Sequence, residues 1–146
     1  MTELSRLYEQ DFHAWAWRSA ELMRAGRLEQ LDWDHLAEEL EEMGASKQQQ
    51  LESRLRVLLA HLLKWRYQPE RRGRSWQATI KEQRYAIARL LQKNPSLDGK
   101  WDEILTDAYR LGVLLAMRET NLDESTFPVG CPYARERILD DEFWPD

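Results

Sequence analysis

Histidine and glutamate four residues apart lie over one another on a helix, which is the arrangement a metal pair or an acid/base pair needs. The chain sets His35 and Glu39 at that spacing, with Asp11 and Glu42 as further carboxylates. His61 and Lys64 interrupt an otherwise apolar run and border its core-facing side. A di-metal helical bundle would require a repeated Glu-x-x-His pattern with two more carboxylates, and the sequence contains no Glu-x-x-His. The competing expectation is structural: a polar network at the core edge, in which the acidic residues around 34–42 pair with Arg54, His61 or Lys64.

Two other chemistries are weighed. Cys131 stands before Pro132 at an expected helix N-terminus, where the helix dipole lowers a thiol pKa. A nucleophile also needs a base, and no histidine lies near it in sequence; a lone cysteine is more often a small buried hydrophobe. Arg66, Arg71, Arg72, Arg74, Lys81 and Arg84, interleaved with Trp65, Tyr67, Trp76 and Tyr85, offer cations beside stacking faces for single-stranded nucleic acid. However, Trp65 and Trp76 occupy core-facing positions. The formal charge of −5 divides into −7 over 1–46, +9 over 47–93 and −7 over 94–146, so acidic flanks oppose a phosphate backbone. No phosphate-binding glycine loop, zinc-protease helix, serine elbow or zinc-finger spacing occurs.

The elements that must carry these groups are helices. Six glycines, five prolines and few β-branched residues among 146 argue against sheet, and 42% apolar content against disorder. The length suits one domain, 1–146. One cysteine, no basic-then-apolar N-terminal signal and no apolar run of membrane-spanning length lead to an expected cytoplasmic protein without membrane association.

The centre is the stretch 51–67, where Leu51, Leu55, Leu58, Leu62 and Trp65 form one stripe, widened by Val57, Leu59 and Leu63. A helix this apolar needs neighbours on at least two sides. Ser46 and Gln49 suggest its capping box, and Pro69 its end. Before it, one helix is expected over about 4–24, stopped by Gly26, with Trp17 pointing off its apolar face. A second is expected over 31–44, capped by Asp32 and ended by Gly44, with Trp33, Leu36, Ala37, Leu40 and Met43 inward. After the centre, Ser75 caps a fourth helix ending at Asn94-Pro95, with Gln83 a polar group in its inward face. A fifth spans about 98–120, and a short C-terminal one opens at Cys131-Pro132. The expected architecture is an all-α single-domain bundle of five main helices plus a short C-terminal helix.

Tyr8-Glu-Gln-Asp-Phe12, Leu31-Asp-Trp33, Leu36-Ala-Glu-Glu-Leu-Glu41, His61-Leu-Leu-Lys-Trp65, Ser75-Trp76, Glu82-Gln-Arg84, Cys131-Pro-Tyr133 and Phe143-Trp-Pro145 together resemble a bacterial family catalogued as domain of unknown function 29. The resemblance covers nearly the whole chain. It implies a compact helical bundle and no activity, and carries over no catalytic residues.

The expected function is a non-catalytic protein-interaction module with an unidentified protein partner, self-associating through exposed aromatics such as Trp17. The alternatives are nucleic-acid association through the basic 64–84 segment (Arg66, Arg71, Arg72, Arg74, Lys81) and a metal-dependent enzyme centred on His35, Glu39 and His61. No cofactor or metal is assigned. Asp11, His35, Glu38, Glu39, His61, Lys64, Gln83 and Arg84 form either a folding network or the lining of a cleft.

Overall fold

A computed structural model describes residues 2–146, and among these the chain is all-α, with no strand. The helices are α1 (Glu3–Gln10), α2 (Phe12–Arg24), α3 (Trp33–Tyr67), α4 (Arg74–Lys93), α5 (Trp101–Thr120) and the short α6 (Arg135–Ile138). Five main helices and a short C-terminal one are therefore present, but several expected boundaries fall differently.

The expected first helix is broken at Asp11. Its backbone leaves the helical region (φ −155°, ψ 86°), and its carboxylate accepts from Ala14 N at 3.1 Å. Asp11 thus ends α1 and caps α2, because a short acceptor side chain satisfies the amides that a new helix leaves open. At the other end of α2 the expected stop holds: Gly26 adopts φ +73°, Gly26 N donates to Met23 O and Arg27 N donates to Leu22 O. Those two bonds form a Schellman closure that a left-handed glycine permits.

The second correction runs the other way. Gly44 does not end a helix, and Ser46 with Gln49 does not start one, because α3 passes through both as one helix of 35 residues. Glycine within a helix costs only about 1 kcal/mol relative to alanine. Strong helix formers surround it, and no left-handed backbone appears there, so nothing stops the hydrogen-bond ladder. Likewise Gly73 rather than Ser75 precedes α4, and α6 opens at Arg135 rather than after Cys131-Pro132.

The contacts gather into two compact units, Met1–Ala45 and Ser46–Asp146. The first has a small core of Leu4, Trp15, Leu22 and Leu31, with Leu7, Tyr8, Ala16 and Leu36 packed against it. The second is built on the later part of α3, where Leu51, Leu55, Leu58, Leu59, Ala60, Leu62 and Leu63 are fully buried. Ile80 and Ile87 of α4, Ile104, Ala108, Val113 and Ala116 of α5, and Phe127, Tyr133 and Ile138 complete that core. The α3–α5 approach is close at Gly112, where a side-chain β-carbon would stand 3.1 Å from Arg56 O and 3.3 Å from Leu59 Cβ. Trp33, Leu40 and Met43, expected inward, are exposed. No helix among the described residues is long and apolar enough to cross a membrane.

Candidate functional site

In the first unit the residues around His35 form one connected group. Asp32, buried just ahead of α3, accepts from the His35 ring (Nδ1 to Oδ2, 2.6 Å) and from Trp15 Nε1 (3.3 Å). Tyr8 stacks flat on the His35 ring, with centroids 3.8 Å apart and planes 12° apart, and its hydroxyl donates to the Glu39 carboxylate. Burial pushes the Asp32 carboxyl up, but bonds from the His35 ring and backbone and from Trp15 more than offset this, leaving it below the usual carboxylate value. The Asp32 bond raises His35 above its usual 6.5 against the effect of desolvation. The bond to Glu39 pushes the Tyr8 phenol well above its ordinary range, since losing its proton would set two anions together.

Beside this group the outer face of α3 carries Trp33, Ala37, Leu40 and Met43, all exposed. Asp34 and Glu41 run along one border of that stripe and Glu39 along the other. Trp33, Leu40 and Met43 are 56%, 64% and 63% exposed, values that set them apart from ordinary half-covered surface residues. Trp17 is 62% exposed, as expected for a residue off the α2 core face, and its indole donates to His13 Nε2 at 3.0 Å.

The second unit holds the other candidates, in separate places. Lys64 is buried, with Nζ 2.9 Å from Glu119 and 4.8 Å from the centre of the Trp76 ring. Gln83 accepts from Arg54 Nη1 at 3.3 Å. His61 Nδ1 lies 2.8 Å from Val57 O. Each finds a partner inside the second unit. Burial lowers His61, and Lys64 adds to this, against the Val57 bond.

Arg84 is 2% exposed and forms no ion pair with a carboxylate among the described residues. It donates instead to the carbonyls of Ile138 (2.8 Å), Phe143 (2.8 Å) and Arg137 (3.4 Å). Burial lowers its pKa while Asp141 and Asp140 pull it back up. It is a clamp on the C-terminal segment. Arg72 acts alongside it, donating to Trp65 O and Pro145 O, while Trp65 and Trp144 rings lie 4.7 Å apart.

Within each unit the candidate residues take separate partners. His35 and Glu39 meet through Tyr8, Asp11 is a helix cap, Glu38 is exposed, and Lys64, Gln83, His61 and Arg84 each serve different contacts. His61 stands 26 positions after His35 along α3. Among the described residues no group of three or more His, Cys, Asp or Glu is placed to hold a metal ion. Arg66, Arg71, Arg74 and Lys81 are exposed, as is Arg72 despite its contacts with the tail. Of the stacking faces, Trp65 is occupied by Trp144 and Trp76 by Lys64. Cys131 is half-buried and its thiol donates to Tyr133 O at 3.5 Å; burial pushes its pKa up, opposite to the expected dipole effect, because no helix starts there.

Sequence reasoning missed Tyr8 and Asp32 as partners of His35, and Trp15 as a second donor to Asp32. The Asp32–His35 spacing of three was the available signal. Nothing in the sequence marks the Arg84 acceptors, since they are backbone carbonyls.

The two histidines give opposite pH responses. A raised folded pKa at His35 adds stability that is fully present below 6.5 and lost as pH rises through the folded value. The lowered Asp32 value adds stability present above 3.8 and lost on acidification through its folded value. A lowered value at His61 makes acidification below 6.5 favour the unfolded chain. Ring-proton NMR titration is expected to place the His35 midpoint above 6.5 and the His61 midpoint below it. Coincident midpoints would contradict both environments.

These features define an all-helical protein whose polar groups are largely engaged in holding its own elements. The chain belongs to the family described as Domain of unknown function DUF29, which matches residues 7–144. No curated protein and no solved structure matches it.

Proposed function

We propose that the protein is a non-catalytic interaction module of the bacterial cytoplasm, and that the face of α3 bearing Trp33, Leu40 and Met43 receives a basic amphipathic helix of a partner protein. The exposed stripe carries this reading. Covering a large apolar side chain stabilises a complex by roughly 1.5–3 kcal/mol before association costs, and tryptophan is among the residues enriched at binding hot spots. Apolar positions at helical spacing suit a helix laid alongside. Asp34, Glu39 and Glu41 at the borders select for lysine and arginine on the partner. Two copies meeting through the same face would oppose those carboxylates, so a basic partner fits better than a second copy.

Native mass spectrometry on protein gently isolated from its own host cells tests this. The expected spectrum contains a complex with a second protein, and Trp33→Ala and Leu40→Glu each remove it. Both variants are expected to keep their thermal stability to within about 0.5 kcal/mol, because exposed side chains contribute little to folding. A complex that survives both substitutions, or a bare monomer, overturns the reading. A homo-oligomer lost in both would put a second copy in the place of the basic partner.

A further inference from the structure

We propose that the cleft between α3 and α4 in the second unit binds the phosphate group of a small molecule through Arg54, Arg56 and Gln83. The cleft has a volume of about 460 Å³ and lies where Gln49, Gln50, Ser53 and Arg54 come round on one side of α3 to meet Gln83 of α4. Its polar lining consists of two guanidiniums, three carboxamides and serine hydroxyls, all able to donate, and it includes no carboxylate. The nearest acids in sequence, Glu52 and Glu82, do not line it.

Three arginines pair with acids among the described residues: Arg18 with Glu21, Arg110 with Glu124 and Arg135 with Asp98. Arg54 and Arg56 form no ion pair among the described residues. Arg56 Nε is buried without any hydrogen-bond partner. Gln83 spends its amide oxygen on Arg54, which leaves its NH₂ group to donate. A ligand with several acceptor oxygens and negative charge satisfies this set. Phosphate matches the fork of arginine, and its charge relieves two cations that have no counter-ion.

The site differs from the exposed cations Arg71, Arg74 and Lys81, and the test separates them. Inorganic phosphate, adenosine monophosphate and oligodeoxythymidine are titrated into the full chain at constant ionic strength. Affinity is read by calorimetry and location by NMR of the arginine Nε–H and glutamine amide groups. Saturable binding of inorganic phosphate or of the monophosphate, with shifts at Arg54, Arg56 and Gln83, is expected. Arg54→Gln with Arg56→Gln should weaken it at least about 10-fold, as charge-assisted bonds are the strong ones. Gln83→Glu should also lose binding while its melting temperature holds or rises, since the new carboxylate pairs with Arg54; a merely structural Gln83 would not separate the two. If Gln83→Glu does not fold, the arginine variant decides alone. Arg71→Gln with Arg74→Gln and Lys81→Gln should leave affinity unchanged. Absence of saturable binding, full affinity in the double arginine variant, loss with the exposed cations, or binding of the oligonucleotide alone would each overturn the proposal.

Discussion

Arg84→Ala is expected to lower the unfolding free energy by about 2–5 kcal/mol, because carbonyls left without their donor cost about 1–3 kcal/mol each where they stay buried, and the packing of a large buried side chain is lost as well. The guanidinium holds the carbonyls of Ile138 and Phe143 at 2.8 Å each and that of Arg137 at 3.4 Å. Truncation leaves these acceptors without their donor and opens a space where the longest buried side chain of α4 stood. It also releases the segment bearing Trp144, whose ring lies 5.7 Å from the Arg84 guanidinium carbon. Arg84→Lys should fall between wild type and alanine, because an ammonium can reach one carbonyl but not the spread of three. Urea denaturation measures the loss, and limited proteolysis beyond residue 138 reports the tail. A loss under about 1 kcal/mol with a protected tail would mean that the clamp is not what holds it.

Leu59→Ala is expected to cost about 2–5 kcal/mol. Leu59 is fully buried in α3, in the row with Leu55, Leu58, Leu62 and Leu63. Its Cβ is among the atoms that a side chain at Gly112 would meet first, at 3.3 Å. The α5 backbone is already drawn in to the point where Arg56 O would stand 3.1 Å from such a β-carbon. With the helices this close, further collapse into the vacated space is opposed by backbone contact, which favours the upper part of the range. The denaturation midpoint should fall with an unchanged slope, and hydrogen exchange should accelerate over 46–67 and 101–120. A cost below about 1 kcal/mol would show that the crossing can close after all.

The remaining question, which of these features the amino-acid order decided, divides along physical lines. Hydrophobic spacing over 51–67 determined the central helix and its burial on more than one side, since a 3.6-residue period with so wide an apolar stripe needs more than one neighbour. Gly26 and Asn94-Pro95 were legible as stops because they act on the backbone within one turn. The strength of a local signal is a different matter from its presence. Gly44 and Ser46 look like a stop and a start, yet the 35-residue helix runs through them. Asp11 reads as one more carboxylate but breaks the chain into α1 and α2. Each case turns on about 1 kcal/mol of local preference, less than packing supplies.

The polar groups show the same division. That Gln83 needs a partner follows from the sequence alone, because it sits in an apolar face, and His35 and Lys64 border such faces. Which partners they take was decided by tertiary structure: Asp32 and Tyr8 for His35, Glu119 for Lys64, Arg54 for Gln83 and three carbonyls for Arg84. The inward assignment of Trp33, Leu40 and Met43 failed for a related reason. Periodicity identifies an apolar stripe, but only the arrangement of other elements determines whether anything covers it.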